Sequence, residues 1–160
     1  MANETDGDEA RQIGSADGNL LLDLHVLDQR IGRLVEVALI GAGVTPAEFA
    51  VYSQLGIAPM TPRQLSQRLG VKRSTLTGHL AALDRRGHVS RSANPLDARS
   101  YRVELTDAGR ACLETCRPAF RRALTVFHDA LGQDPDRIRT VLADLDTAAA
   151  AAIERLDRDP

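Results

Sequence analysis

The sequence predicts a mainly α-helical fold with a small β-sheet of two to three strands. Apolar residues recur at the three- and four-residue spacing of helices along most of the chain, and the stretch from His88 to Leu105 changes to the alternation typical of strands. Aromatic residues make up 3% of the chain and Trp is absent. A core built from Leu, Ala and Val in this pattern favours packed helices.

Residues 17–39 are predicted to form the first helix. Its leucines and Ile31 form an apolar seam that suits contact with a helix of the same chain or of a second chain. Thr45-Pro46-Ala47-Glu48 then supplies an N-cap, a proline at the first helical position and a capping-box glutamate, so a second helix begins here. Gly56 and Pro59 end it.

A helix-turn-helix is predicted next. A second capping box, Thr61-Pro62-Arg63-Gln64, begins a short helix that Gly70 ends. Another helix is expected from about Ser74 to Arg86. Its apolar side is formed by leucines at the spacing i, i+4 and i+7, which are Leu76, Leu80 and Leu83. Two short helices joined by a glycine-containing turn are typical of this motif.

The C-terminal half begins with a predicted hairpin. Two strands, His88–Ser92 and Ser100–Leu105, flank a turn rich in Asn, Pro and Asp. The hairpin forms a wing, which makes residues 45–105 a winged helix-turn-helix lobe. Two long helices are expected after it, at about 107–132 and 136–156.

Charge is distributed unevenly along the chain. Between Met60 and Leu105, nine Arg or Lys residues stand against three Asp or Glu residues, a net charge of +6 in a chain of overall charge −2. A basic segment in an otherwise acidic chain indicates a polyanionic partner such as nucleic acid.

The N-terminal residues and the length of the apolar runs indicate where in the cell the protein lies. Residues 1–16 are acidic and polar and lack the apolar segment of a secretory signal, so they are predicted to be a disordered tail. No apolar run reaches the roughly 18 residues that a membrane span needs. We therefore expect a cytoplasmic protein with no membrane partner.

The ordered set of motifs resembles the MarR family of bacterial transcriptional regulators. The resembling segments are 45–49, 61–71, 73–77, 83–87, 97–99 and 105–110. Each motif alone is common, but the Asp-x-Arg turn followed by Leu-Thr-x-x-Gly-Arg is more specific. The resemblance covers about residues 20–156.

This resemblance implies a homodimer that binds double-stranded DNA at a pseudo-palindromic operator. It implies one domain, residues 17–160, in which residues 17–40 and 107–157 are dimerisation helices. Many family members respond to a small phenolic or anionic ligand, and some respond to oxidants or metals. We accordingly expect a repressor that a small aromatic or anionic effector releases from DNA.

The predicted DNA-contacting surface is the start of the helix at Ser74 together with the hairpin. A helix fits the major groove, and its N-terminal N–H groups favour phosphate. Arg99 at the hairpin tip is expected to enter the minor groove, oriented by a bidentate ion pair with Asp97. The predicted DNA-binding residues are Thr61, Lys72, Arg73, Ser74, Thr75, Thr77, Gly78, His79, Arg91, Asp97, Arg99 and Arg102.

Gly78 departs from the family pattern, in which a long basic or polar residue is frequent at this position. Glycine presents no side chain and costs roughly 1 kcal/mol of helix propensity relative to alanine. Base readout is therefore expected to rest on Thr75, Thr77 and DNA shape. His79 is expected to contact phosphate, to face a ligand cavity or to pack in the core.

A binding site for the effector is predicted from helix placement alone. Its candidate residues are His25, Arg33, Tyr52 and His79. Cys112 and Cys116 lie four residues apart, where side chains on a straight helix poorly match disulfide torsions. Core packing is therefore favoured for them, and a thiol-based redox-sensing regulator is the alternative.

Other function classes have little support in the sequence. It contains no glycine-rich phosphate loop, no Gly-x-Ser-x-Gly and no His-Glu-x-x-His motif, so we expect no enzyme, no catalytic residue and no cofactor. The histidines and cysteines lack metal-ligand spacing, so no metal site is expected. A winged-helix interaction or dimerisation module without DNA binding is the remaining alternative, and the basic segment argues against it.

Overall fold

The computed structural model of the chain describes residues 13–15, 18–95, 97 and 99–158. These residues form six α-helices and two β-strands: α1 Leu20–Leu39, α2 Pro46–Leu55, α3 Pro62–Leu69, α4 Arg73–Arg85, β1 Val89–Ala93, β2 Tyr101–Leu105, α5 Asp107–Leu131 and α6 Pro135–Arg158. A short 3-10 helix, Ile40–Ala42, follows α1. The predicted mainly α fold with a small hairpin is confirmed.

Two sequence predictions fall partly or wholly outside the described residues. The predicted tail, residues 1–16, does so except for Ile13–Ser15. The predicted start of the first helix, residue 17, also lies outside the described residues. Helix α1 begins at Leu20, with Asn19 as its N-cap.

Local capping signals set the starts of α2 and α3. The side chains of Thr45 and Thr61 accept hydrogen bonds from the backbone N–H groups of Glu48 and Gln64, both at 3.2 Å. Each N3 side chain accepts from the N-cap backbone in return, so both predicted capping boxes are complete. These helices therefore begin where the sequence predicts.

Glycines end α3 and α4. Gly70 and Gly87 have φ of 63° and 69°, a left-handed conformation that costs glycine little because it has no Cβ. The start of α4 is less marked, because its N-cap is Lys72 and makes no side-chain cap bond. Ser74 and Thr75 therefore lie inside the helix and are not its caps.

The two strands pair antiparallel, with Val89 opposite Leu105. Met60 forms an isolated bridge with Val103, in which each backbone N–H donates to the other's carbonyl at 3.0 and 2.8 Å. This bridge attaches the two-stranded hairpin directly to the segment before α3.

The chain divides into two compact units, residues 1–121 and 122–160. In the first unit the core is formed by the C-terminal end of α1, α2, α3, α4, both strands and the first half of α5. Its fully buried large side chains are Leu39, Val51, Tyr52, Leu65, Leu76, Leu83, Val103, Leu105 and Cys116. The rings of Phe49 and Phe120 pack at 4.7 Å between centroids.

The second unit contains the end of α5 and the whole of α6. No residue of α6 between Pro135 and Arg158 is buried. Four of its large apolar residues are at least half exposed, Val141, Leu142, Ile153 and Leu156. The packing inside this unit therefore leaves an apolar face of α6 uncovered.

The start of α5 lies very close to the end of α4. A Cβ at Gly109 would collide with the backbone carbonyl of His88, so this crossing requires glycine. Thr106 donates from its backbone N–H to the same carbonyl at 3.1 Å, and from its hydroxyl to the Gly87 carbonyl at 2.7 Å. The Leu-Thr-x-x-Gly-Arg motif thus holds α5 against the residues that follow α4.

Among the described residues, no single helix is both long and apolar enough to cross a membrane. The segments Leu20–Ala42 and Pro46–Leu55 meet the length and composition criteria only when taken together, and they are bent by 79° at their junction.

Candidate nucleic-acid interface

The N-terminal half of α4 presents a polar side to solvent. Its apolar side, Leu76, Leu80 and Leu83, is buried in the core. Ser74, Thr75, Thr77 and Gly78 are exposed, as are Lys72 and Arg73 just before them. The Thr77 hydroxyl donates to the Arg73 carbonyl at 2.8 Å, which leaves its oxygen able to accept a further hydrogen bond.

A concavity of about 520 Å³ lies between α3, α4 and the hairpin. Five residues predicted to bind DNA line it: Thr61, Arg73, Thr77, Asp97 and Arg99. Its other lining residues were not predicted to bind DNA: Pro62, Arg63, Gln64, Leu76, Asn94, Ser100 and Tyr101. Three arginines on one concave surface favour an anionic ligand such as a phosphate backbone.

Some of these additional residues had a signal in the sequence and others had none. Arg63 and Gln64 belong to the same capping box as Thr61, so the sequence could have predicted that they lie beside Thr61. Asn94 donates to the Ser100 hydroxyl at 2.7 Å across the hairpin. That contact depends on strand register, which short-range sequence patterns do not specify.

The hairpin tip differs from the prediction. The Asp97 carboxylate accepts a hydrogen bond from the backbone N–H of Arg99 at 3.0 Å. No ion pair joins these two side chains, both of which the structure describes. The predicted bidentate pair is therefore wrong, because a carboxylate two residues back in a turn reaches the backbone N–H first. The exposed guanidinium of Arg99 remains available to a partner.

Two further predicted DNA contacts, Arg91 and Arg102, have partners inside the lobe. Arg91 forms an exposed ion pair with Asp84 at 3.5 Å and lies 5.2 Å from the centre of the Tyr101 ring. Arg102 is half-buried and donates to the Pro59 carbonyl at 2.8 Å. Their contact with DNA stays a prediction.

A buried carboxylate connects α2 to the end of α4. Glu48 is 5% exposed, and its two oxygens accept from the Thr45 N–H at 3.0 Å and from Arg86 at 2.9 Å. Burial acts to raise the pKa of Glu48, but the Thr45 hydrogen bond and the Arg86 charge outweigh it, so the pKa lies below its ordinary value. Arg86 is the C-cap of α4, so this pair ties the end of that helix to the start of α2.

A second buried contact joins the same two regions. The hydroxyl of Tyr52, a fully buried residue, lies 2.6 Å from Nδ1 of His88. Burial, with the neighbouring Cys112, raises the pKa of Tyr52 to about 12. The hydroxyl therefore stays protonated at neutral pH and can donate to an unprotonated Nδ1.

The four predicted ligand-binding residues lie in different surroundings. His25 is exposed, and His79 is half-buried on α4. Arg33 is paired with Glu36 at 2.8 Å on a shallow surface cavity that none of the other three lines. Tyr52 is occupied by His88 in the core. A shared ligand site for these residues stays a prediction without support from the described cavities.

The cysteines are free, Cys112 half-buried and Cys116 buried. Burial, together with Cys112, raises the pKa of Cys116 to about 11. The thiolate is the reactive form, so Cys116 is a poor nucleophile at neutral pH, which favours packing over redox sensing. Within the described part of the chain, no three His, Cys, Asp or Glu side chains cluster in a way that could hold a metal ion.

Comparison with known proteins agrees with this geometry. Residues 42–100 match the sequence profile of the MarR family. The HTH-type transcriptional repressor YetL of Bacillus subtilis is 30% identical over 130 residues, which are 79% of this chain and 78% of YetL.

The solved structures of similar chains include complexes with DNA. The transcriptional regulator MosR of M. tuberculosis in complex with DNA has a TM-score of 0.75 at 31% identity, over 84% of this chain and 98% of MosR. A mutant of MarR from E. coli complexed with operator DNA has a TM-score of 0.65 at 29% identity, over 78% of this chain and 89% of that chain.

The Glu48 contact predicts a pH-dependent stability. Glu48→Gln should lower the free energy of unfolding by about 2 kcal/mol at pH 7, less than the 3–5 kcal/mol of a fully buried pair because the Arg86 side chain is 41% exposed. Because the folded-state pKa is lowered, the stabilisation is present above about pH 4 and is lost as the pH falls through that pKa. Urea unfolding of both proteins at pH 7 and pH 3 measures the difference.

The matched control is Glu36→Gln, which removes an exposed carboxylate paired with Arg33. Its effect should stay below about 0.5 kcal/mol at both pH values. An equal loss for the two variants, or a Glu48→Gln loss unchanged at pH 3, would contradict the role given to Glu48.

Proposed function

Since the chain belongs to the MarR family of transcriptional regulators, we propose that it is a homodimeric, sequence-specific DNA-binding repressor that a small aromatic or anionic effector releases. The observation that carries the proposal is the arginine-lined concavity beside the exposed start of α4. A cytoplasmic location follows, because the bacterial chromosome is the target. An interaction module without DNA binding would have no need of this basic surface.

The geometry supports a specific mode of DNA contact. The exposed start of α4 enters the major groove, where Thr75 and Thr77 face base edges. Lys72 and Arg73, at the helix N-terminus, contact phosphate together with the free N–H groups there. Arg99 extends from the hairpin tip into the adjacent minor groove, where narrow A·T-rich segments concentrate negative potential.

Homodimerisation is supported by apolar side chains that the monomer leaves exposed. On α1 the most exposed are Leu20 and Leu21, and on α6 they are Ile153 and Leu156. Helices whose apolar faces remain in water are expected to bury them against a partner. A second copy of the chain would also duplicate α4, which suits an operator whose half-sites lie one helical turn apart.

Effector release is supported by the size and lining of the concavity. A volume of about 520 Å³ suits a small aromatic molecule, and the exposed ring of Tyr101 offers an apolar contact beside the arginines. An anion bound there would compete with DNA phosphate for Arg73 and Arg99. The effector and the operator would then bind with opposite preference, as thermodynamic linkage requires.

The decisive experiment measures DNA binding as a function of salt. Wild-type protein should bind a duplex that it selects from a randomised pool, with affinity falling steeply as salt rises. Arg99→Ala should weaken binding about tenfold or more and reduce the slope of log K against log salt by about 0.9, because one phosphate-region contact is lost. Fluorescence anisotropy titrations give both quantities.

The matched control is Arg110→Ala, which removes an exposed arginine of α5 that is paired with Asp107. It should leave affinity and slope near the wild-type values. If wild-type protein bound no duplex from low to physiological salt, the regulator proposal would fail; normal binding by Arg99→Ala would exclude the role of the hairpin tip.

The dimer is tested by mass in solution. Sedimentation equilibrium should give about twice the chain mass of 17.3 kDa. Replacing Ile153 and Leu156 together by Glu should shift the population to monomer, because buried charges in an apolar interface are costly. Thr147→Glu places the same charge at another exposed α6 position as a control. A monomeric wild type would refute this part of the proposal.

Effector release is tested by displacement of labelled DNA. Benzoate and hydroxybenzoates should release the duplex at millimolar concentration or below, whereas the uncharged analogue benzamide should not, because the arginines favour an anion. Equal release by benzoate and benzamide would argue against an anion site. No displacement by any acid in the series would remove the effector from the proposal and leave DNA binding untouched.

A further inference from the structure

Gly78 is a glycine that the folded chain itself does not require. Gly70 and Gly87 need their left-handed φ, and Gly109 has no space for a Cβ. Gly78 lies within α4, its φ is not positive, and a Cβ placed on it would meet no atom within 4 Å. Glycine at such a position lowers helix stability relative to alanine, so the protein carries this cost without an internal benefit.

The neighbours of Gly78 on the exposed side of α4 share one property, short side chains. Ser74, Thr75 and Thr77 all carry a hydroxyl only one bond beyond Cβ. The long basic side chains, Lys72 and Arg73, precede them at the edge of this surface. A helix that contacts bases through short hydroxyls must approach the groove floor closely, whereas one that uses arginine can remain further away.

The dimensions of helix and groove make this approach sensitive to a single methyl group. A helix with its side chains is about 10–12 Å across, and the major groove is about 12 Å wide. A missing side chain at the centre of the contact lets the helix backbone itself lie against the DNA, a known use of glycine where backbone and ligand approach closely.

We propose that Gly78 is the point of closest approach between α4 and DNA, and that its missing side chain determines sequence specificity by letting the hydroxyls of Thr75 and Thr77 reach base edges. This inference rests on the DNA-binding function proposed above and goes beyond it. The absence of a side chain at position 78 is then a steric requirement. Adding any side chain there, even one with a favourable positive charge, lowers specificity.

The first test separates fold stability from DNA binding. Gly78→Ala should raise Tm by about 2–4 °C, because alanine is the better helix former, and should weaken binding to the selected duplex about tenfold. The slope of log K against log salt should not change, because no phosphate contact is removed. Gly41→Ala, at an exposed glycine before α2 with equally open space, should leave binding unchanged.

The second test sets steric exclusion against electrostatics. Gly78→Arg adds a positive charge and should tighten binding to a scrambled duplex of the same composition, while its preference for the selected duplex falls at least tenfold. Gly41→Arg adds the same charge at an exposed, open glycine before α2 and should keep the wild-type preference.

The outcomes distinguish this inference from the function on which it depends. A wild-type protein that does not discriminate between the two duplexes would overturn the proposed function and this inference together. A wild-type protein that discriminates, with Gly78→Ala and Gly78→Arg discriminating equally well, would overturn this inference alone. Loss of discrimination in both variants with a raised Tm in Gly78→Ala supports it.

Discussion

The geometry of the winged helix-turn-helix lobe depends on the carboxylate of Glu48, the one carboxylate that is buried among the described residues. One oxygen completes the capping box of α2, and the other binds the arginine that ends α4. A buried charge is costly unless every acceptor is satisfied, and here both oxygens have donors. Glu48 therefore links the start of α2 at Thr45 to Arg86, which lies 38 residues further along the chain than Glu48.

The other contacts of this region act at the same end of α4. His88 bonds to Tyr52 through its ring and to Thr106 through its carbonyl. Gly109 allows α5 to pack directly onto that carbonyl. The C-terminal end of α4 is thus held on several sides, whereas its N-terminal end carries exposed polar residues. Such an arrangement orients a helix firmly while leaving its other end accessible.

Sequence patterns predicted those structural features that are determined by residues close together in the chain. Capping boxes at Thr45 and Thr61 and the left-handed glycines act within a few residues, so the helices and the hairpin could be placed from the sequence. The partners of Arg102 and Tyr52 are 43 and 36 residues away, and no local signal specifies them. The same limit explains why the four ligand candidates, chosen by helix placement, lie in separate surroundings. The sequence placed Arg99 correctly in the hairpin turn. In that turn the Asp97 carboxylate accepts from the backbone N–H of Arg99, which competes with the expected ion pair between the two side chains.

The bridge between Met60 and Val103 has a consequence for the thermodynamics of association. It joins the backbone before α3 to the hairpin through two hydrogen bonds, so the helix pair and the wing share one frame. Elements connected in this way lose overall translational and rotational freedom once on binding, and not separately. The binding free energies of the helix pair and the hairpin are then not additive. In the proposed DNA complex, binding of one element would raise the effective concentration of the other element near its own groove. In the proposed DNA complex, the hairpin would therefore gain affinity from being held beside the helix pair as well as from its own contacts.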